Sequence, residues 1–144
     1  MMVLGVLFLL VACEFHAGSS RQLKKEVDSF AVYYFNWQFH QAVRFVTPES
    51  EKWMHYAASQ VHQADIDLLQ SKELPASCEI NEVVYSEDDK TAIAHVTIQN
   101  YLRMDTIGKA ATIVNAAQFD IPLIYQAETD KWKVEVNELL RPVK

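Results

Sequence analysis

Only three glycines occur in 144 residues, too few and too scattered for a phosphate-cradling loop, and neither GxSxG nor HExxH is present. The chain thus lacks the short motifs that hold nucleotides, present a serine nucleophile or bind a catalytic zinc. Cysteine is as scarce. Cys13 ends an apolar run and Cys78 stands alone in the body, which argues against a disulfide framework. Basic residues are in deficit, 13 Lys and Arg against 19 Asp and Glu, for a net charge of -6. Phosphate binding relies on clustered cations, so nucleic acid is not the expected partner. The one basic cluster, Arg21, Lys24 and Lys25, reads as a solvated helix start. What is abundant is apolar side chain, half of all residues. A domain of this size buries roughly two thirds of its unfolded surface and needs no covalent staples.

Met1 to Ala12 form an apolar segment of signal-peptide length, too short to span a bilayer. The segment ends in Leu10-Val11-Ala12-Cys13, which resembles the lipobox of bacterial lipoproteins. That resemblance implies cleavage before Cys13, acylation of Cys13, and anchoring to a membrane by several acyl chains on one residue, where a single chain holds only weakly. No Lys or Arg precedes the apolar run, so either translation starts further upstream or the free amine supplies the usual positive end. The organisation expected is a signal peptide over 1–12, a lipidated cysteine with a flexible Gly-Ser-Ser tether over 13–20, and one domain over 21–144.

Within that domain the periodicity predicts a helix from Ser20 to Phe35, with Val27, Phe30, Ala31, Tyr34 and Phe35 on its apolar face and Asn36-Trp37-Gln38 ending it. A short helical piece over Phe39 to Phe45 leads to Thr47-Pro48, a cap and first-position pair. From there one long amphipathic helix is expected to Ser71, with the stripe Trp53, Ala57, Val61, Ala64 and Leu68 seeking a partner surface in the later strands.

After Leu74-Pro75 the period changes from 3.6 to 2. Strands are expected over Cys78 to Tyr85, Thr91 to Met104, Gln118 to Gln126 and from Trp132 to Val136, with polar turns at Glu87 to Lys90 and Glu128 to Lys131 and a loop around Asp105 to Lys109. Ala92, Ala94, Val96, Ile98, Asn100, Leu102 and Met104 form the expected core face of the longest strand, with Ile93, His95, Thr97, Gln99, Tyr101 and Arg103 on its other face. Pro122 favours an edge or a bulge. Helices followed by antiparallel strands make an α+β plan, the N-terminal helices packed in the concave face of a curved, mainly antiparallel sheet.

The order helix, short helix, capped long helix, long hairpins, with Tyr34-Phe35-Asn36-Trp37, Thr47-Pro48-Glu49-Ser50 and Asp130-Lys131-Trp132-Lys133-Val134, resembles the nuclear transport factor 2-like superfamily of cone-shaped α+β (cystatin-like) domains. It is similar in particular to small lipoproteins of Gram-negative bacteria with that fold. The likeness covers roughly residues 20–138, and its motifs are structural rather than chemical. The resemblance implies a cone between helices and sheet, used by some relatives, ketosteroid isomerase and scytalone dehydratase among them, for acid–base catalysis. It also implies a place in the envelope of a Gram-negative cell, inner or outer membrane left open.

The residues themselves supply no convincing buried acid or base. Asp120 alternates away from Phe119 and Ile121, and Glu79, Glu82, Asp88, Asp89, Glu128, Asp130 and Glu135 fall in turns or on outer faces. His55 and His62 lie about 10 Å apart along one helix, too far to share a metal. His62 and Asp65 offer two ligand positions without a third. No catalytic residue, metal or cofactor is therefore expected. Tyr34, Trp53 and Asn100 are the candidate ligand pocket, although for Asn100 structural hydrogen bonds or a bulge that turns it outward are favoured over a ligand role. His95, Thr97, Gln99 and Tyr101 are the candidate interface, suited to solvent or to a homodimer through the sheet. The function expected is a membrane-anchored, non-catalytic domain that binds a small ligand or a partner protein. The alternatives are an isomerase or dehydratase using Tyr34 in the cone, and a structural subunit of an envelope or secretion assembly.

Overall fold

A computed structural model describes residues 18–104 and 111–143, so Cys13, the lipobox and the Asp105 to Lys109 loop lie outside the described residues. Helix α1 runs Ser20–Phe35, with the Ser19 hydroxyl accepting from the Gln22 N–H at its start. Its buried face holds Leu23, Val27, Phe30, Ala31, Tyr34 and Phe35, and also one carboxylate, Glu26. Full burial of Leu23, Val27 and Phe30 contributes roughly 1.5–3 kcal/mol for each side chain. The helix ends as the Asn36-Trp37-Gln38 break predicts, by a left-handed turn at Trp37, φ 62°. The N–H of Gln38 reaches the Tyr33 carbonyl and that of Trp37 the Tyr34 carbonyl, at 2.8 and 3.0 Å. Glycine usually fills that position. Here the indole N–H of Trp37 donates to the Leu102 carbonyl at 3.0 Å and holds it. The Asn36 amide pairs with both backbone groups of Ala76, tying the turn to the start of the sheet.

Helix α2, Phe39–Ala42, runs into a tight turn at Val43–Phe45. Thr47 then takes the extended geometry of a cap with Pro48 at the first helical position. The long helix expected from there is two helices. After a single turn at Pro48–Ser50 come α3, Glu51–Ser59, and α4, Gln63–Ser71, with His62 extended between them. No glycine or proline breaks the run. The Asp65 carboxylate accepts from the His62 N–H at 2.9 Å, while the Asp65 N–H returns to the His62 carbonyl at 3.0 Å. That reciprocal pairing starts a new helix instead of prolonging the old one. The expected stripe breaks with it: Ala57 is buried, Trp53, Val61 and Leu68 are half-buried, and Ala64 is exposed.

The sheet has four antiparallel strands in the order β1-β2-β3-β4: β1 Ser77–Tyr85, β2 Thr91–Arg103, β3 Thr112–Gln126 and β4 Lys131–Val134. The architecture is α+β, with helices packed against the sheet. α1, rather than the Thr47 to Ser71 segment, is the helix that lies on it, touching β1, β2 and β4, while α3 packs on α2. In a chain so poor in glycine, the left-handed positions of the sheet fall on Asp89, Asn100 and Asp130, side chains that tolerate that conformation.

Asn100 corrects the expected alternation of β2. Ala92, Ala94, Val96 and Ile98 point into the core, but φ is 56° at Asn100, and beyond it both Tyr101 and Leu102 are buried. Strand β3 begins six residues earlier than expected, because Thr112–Ala117 pairs with the far end of β2 while staying largely solvent-exposed and so shows no apolar alternation. Pro122 sits where β4 pairing stops: Leu123 is the last residue matched to β4, and the Pro122 carbonyl takes the Glu135 N–H at 3.0 Å.

β4 is a four-residue strand with a neighbour on one side only, and the helices close its other side. The Gln22 side-chain amide accepts from the Trp132 N–H at 2.8 Å and faces the Trp132 carbonyl at 3.4 Å, acting as a piece of strand. Val46 bridges to Val134, whose carbonyl receives the Thr47 N–H at 2.9 Å. Ser50, fully buried, accepts the Val136 N–H at 2.9 Å and shares a hydrogen bond of 2.7 Å with the Thr47 hydroxyl. Ser50→Ala leaves the Val136 N–H buried and unpaired, and an expected loss of about 1–3 kcal/mol is checked by urea denaturation.

Candidate functional site

The three residues of the expected pocket are dispersed. Tyr34, in the last turn of α1, is 9% exposed and surrounded by rings: Phe30 stacked at 5.3 Å, Phe35 and Phe39 edge-on at 5.0 and 5.5 Å. Its hydroxyl accepts the Leu140 N–H at 3.3 Å. Burial pushes the phenol up to about 12, only partly offset by that hydrogen bond. Phe35 continues the ring cluster to Tyr101 and Phe119 at 5.6 and 4.6 Å. The space between α1 and the sheet is thus occupied by the chain's own aromatics. Asn100, half-buried on β2, uses its carbonyl to accept the Lys72 ammonium, which desolvation pulls below its ordinary pKa.

Trp53 alone of the three lines an open cleft, of about 490 Å³. One wall is the start of α3, with Glu49, Ser50, Lys52 and Trp53; the other is Pro122 with the segment Glu135 to Asn137 that follows β4. Ser50 builds the cleft as well as lining it, since its bond to Val136 sets the spacing of the walls. The Lys52 ammonium lies 5.7 Å from the indole centroid of Trp53, and Tyr56 meets that ring edge-on at 6.2 Å. The indole N–H of Trp53 is shielded from solvent and has no acceptor among the described residues.

The other expected surface divides. His95, Thr97 and Gln99 lie on the outward face of β2, whereas Tyr101, expected beside them, is 3% exposed and packs edge-on against Phe35 and Phe119. On that face His95 Nδ1 meets Asp120 Oδ1 at 2.5 Å. This pairing of β2 with β3 needs the strand register and could not be read from spacing along the chain.

Buried titratable groups have structural partners. Glu26 Oε1 is 3.0 Å from Lys133 Nζ, and its other oxygen accepts from the Gln22 amide at 3.2 Å. Lys133 also donates to the Arg44 carbonyl at 2.7 Å. Desolvation still leaves the Glu26 carboxyl above its ordinary pKa, against the pull of Lys133. A signal for Glu26 existed, since it falls between Leu23 and Val27 on the apolar face of α1. Asp65 is buried and committed to the start of α4. Cys78, half-buried on β1, has its thiol pushed up to about 12, first by burial and then by Asp28. Among the described residues no three His, Cys, Asp or Glu side chains gather as metal ligands, and no helix is long and apolar enough to cross a membrane. Compared with known proteins, the chain matches no family model and no curated protein.

Two outcomes follow from these groups. With its thiol held so high, Cys78 is expected to react with iodoacetamide at pH 8 about a hundredfold more slowly in the folded protein than in urea, read by mass spectrometry. Glu26 is raised on folding, so the native state holds its proton longer than the unfolded chain and stability falls as pH rises above the ordinary carboxyl value of 4.5. Urea midpoints taken from pH 4 to 7 are therefore expected to decline more in the wild type than in Glu26→Gln.

Proposed function

We propose that the chain is a lipid-anchored, non-catalytic binding domain of nuclear transport factor 2-like form that engages a partner protein at the cell envelope. The observation that carries this reading is the division between inside and outside. Between α1 and the sheet, ring meets ring from Phe30 to Phe119, while accessible apolar and aromatic surface lies around the Trp53 cleft and on the outer sheet face. The commitment of Glu26 and Asp65 to structural bonds, and the high pKa of Cys78, support a domain that acts by contact rather than by acid–base or nucleophilic chemistry. The anchor rests on the likeness of Leu10 to Cys13 to a lipobox. One observation favours a second reading, a small ligand in the Trp53 cleft: its volume falls within the usual range of small-molecule sites.

In a Gram-negative host grown with labelled palmitate, the wild-type chain is expected to take up label and to sediment with membranes, and Cys13→Ser to abolish both. A photo-crosslinking residue placed at Tyr56, which is 43% exposed beside Trp53, or at Ile93, 42% exposed on the outer face, is expected to yield a discrete adduct with an envelope protein in living cells. No adduct from either position would overturn the partner-binding reading.

A further inference from the structure

We propose that the outer face of β1, β2 and β3, together with the adjoining Trp53 cleft, is a docking surface for a cationic, extended segment of a partner protein, and not for a second copy of this chain. The inference rests on the binding reading above and specifies the partner's chemistry.

The surface follows from strand register. Cross-strand partners share a face, and Ile93 of β2 lies opposite Val84 of β1 on one side and Pro122 of β3 on the other. The three form an apolar row across the sheet, about 10 Å long at the usual strand spacing. Val84 and Ile93 are 46% and 42% exposed. Pro122 is also a wall of the Trp53 cleft, so row and cleft are one continuous surface. An exposed apolar track that runs into a cleft holding an indole is a feature of contact sites.

The charge beside that track is one-sided. His95, the next outward residue of β2, is flanked in register by Glu82 and Asp120, and Thr97 after it by Glu79. The cleft adds Glu49 and Glu135. Against these five carboxylates stands one ammonium, Lys52, and it lies over the Trp53 ring. Thr91, Ile93, His95, Thr97 and Gln99, with their partners on β1 and β3, include no Lys or Arg. Lys133, the nearest cation of β4, is held by Glu26 and the Arg44 carbonyl.

That balance selects the occupant. A two-fold dimer brings the same patch against itself, so a homodimer through this face would gather ten carboxylates against two ammonium groups. A segment carrying Lys or Arg beside apolar residues reverses the sign: its apolar side chains cover Val84, Ile93 and Pro122, and its cations meet Glu82, Asp120 and Glu135. Such complementarity steers the encounter and excludes acidic competitors.

The test uses the full lipidated chain in uncharged detergent and three capped peptides, (Lys-Pro)5, (Glu-Pro)5 and (Ser-Pro)5, followed by titration calorimetry. (Lys-Pro)5 is expected to bind with a Kd under about 1 mM at 50 mM salt, at least about tenfold tighter than the other two, and to weaken severalfold at 300 mM salt as screening grows. Glu82→Gln with Asp120→Asn, both at exposed positions, is expected to cost about fivefold or more in affinity, and Ile93→Lys to abolish binding. Equal binding of (Glu-Pro)5, no binding of (Lys-Pro)5 at 5 mM, or an unchanged double variant overturns the proposal. So does sedimentation showing a wild-type dimer that Ile93→Lys dissociates. The cellular crosslinks separate the two levels. An Ile93 adduct mapped to an acidic partner segment sinks the cationic assignment and leaves partner binding intact, whereas the absence of adducts from both Ile93 and Tyr56 removes the binding reading itself.

Discussion

The structure depends on how the open side of β4 is closed. A four-residue strand with one neighbour presents unpaired backbone groups, a standing invitation to mispairing. Here the Gln22 amide takes the Trp132 backbone, Val46 and Thr47 take Val134, and Ser50 takes Val136. Each of these bonds joins the helical half of the chain to its last strand or to the residues just after it, across roughly ninety to a hundred and ten residues of sequence. Without them the apolar face of α1 would remain, and its position on the sheet would be set only at its C-terminal end, by Asn36 on Ala76 and Trp37 on Leu102. The Glu26–Lys133 pair beside them adds direction at some cost in desolvation, which the raised carboxyl pKa records.

The same closure shapes the accessible surface. Because Ser50 holds Val136, the start of α3 stands opposite Glu135 to Asn137 and leaves the cleft that Trp53 lines. Because β4 pairing stops at Leu123, Pro122 lies at the cleft's edge and joins it to the apolar row of the sheet. The interior takes the opposite course. Tyr34, which sequence reasoning offered to a ligand, stays in the ring cluster with a backbone bond to Leu140. Polar groups near the core hold segments together, and the accessible apolar and aromatic surface lies on the outside.

Much of the fold was legible in the sequence. The bounds of α1, the Asn36–Trp37 break, the Thr47–Pro48 start and both polar hairpin turns follow from periodicity and local chemistry, and they are found. The misreadings share a cause. Helical spacing over Thr47 to Ser71 said nothing of the Asp65 carboxylate turning back to the His62 N–H, and strand alternation said nothing of the left-handed Asn100 that turns Tyr101 inward. A periodic pattern averages over residues, whereas one side-chain bond or one positive φ resets everything after it. The site was less legible than the fold. Trp53 was found, but its partners Pro122 and Glu135 come from distant segments, and the Ile93 row exists only once register is known.

By itself the sequence determined the bounds of α1, the change from helices to strands after Leu74-Pro75, which side of α1 is buried, the α+β class and the acidic balance of the chain. These depend on interactions between near neighbours and on composition, both of which are written locally. The tertiary structure alone decided that α1 rather than the Thr47 to Ser71 segment covers the sheet, that Glu26 meets Lys133, and that the carboxylates of β1 and β3 flank His95 beside an apolar track. Those facts are set by strand register and by hydrogen bonds between residues far apart in the chain, and no local pattern encodes which distant groups will meet.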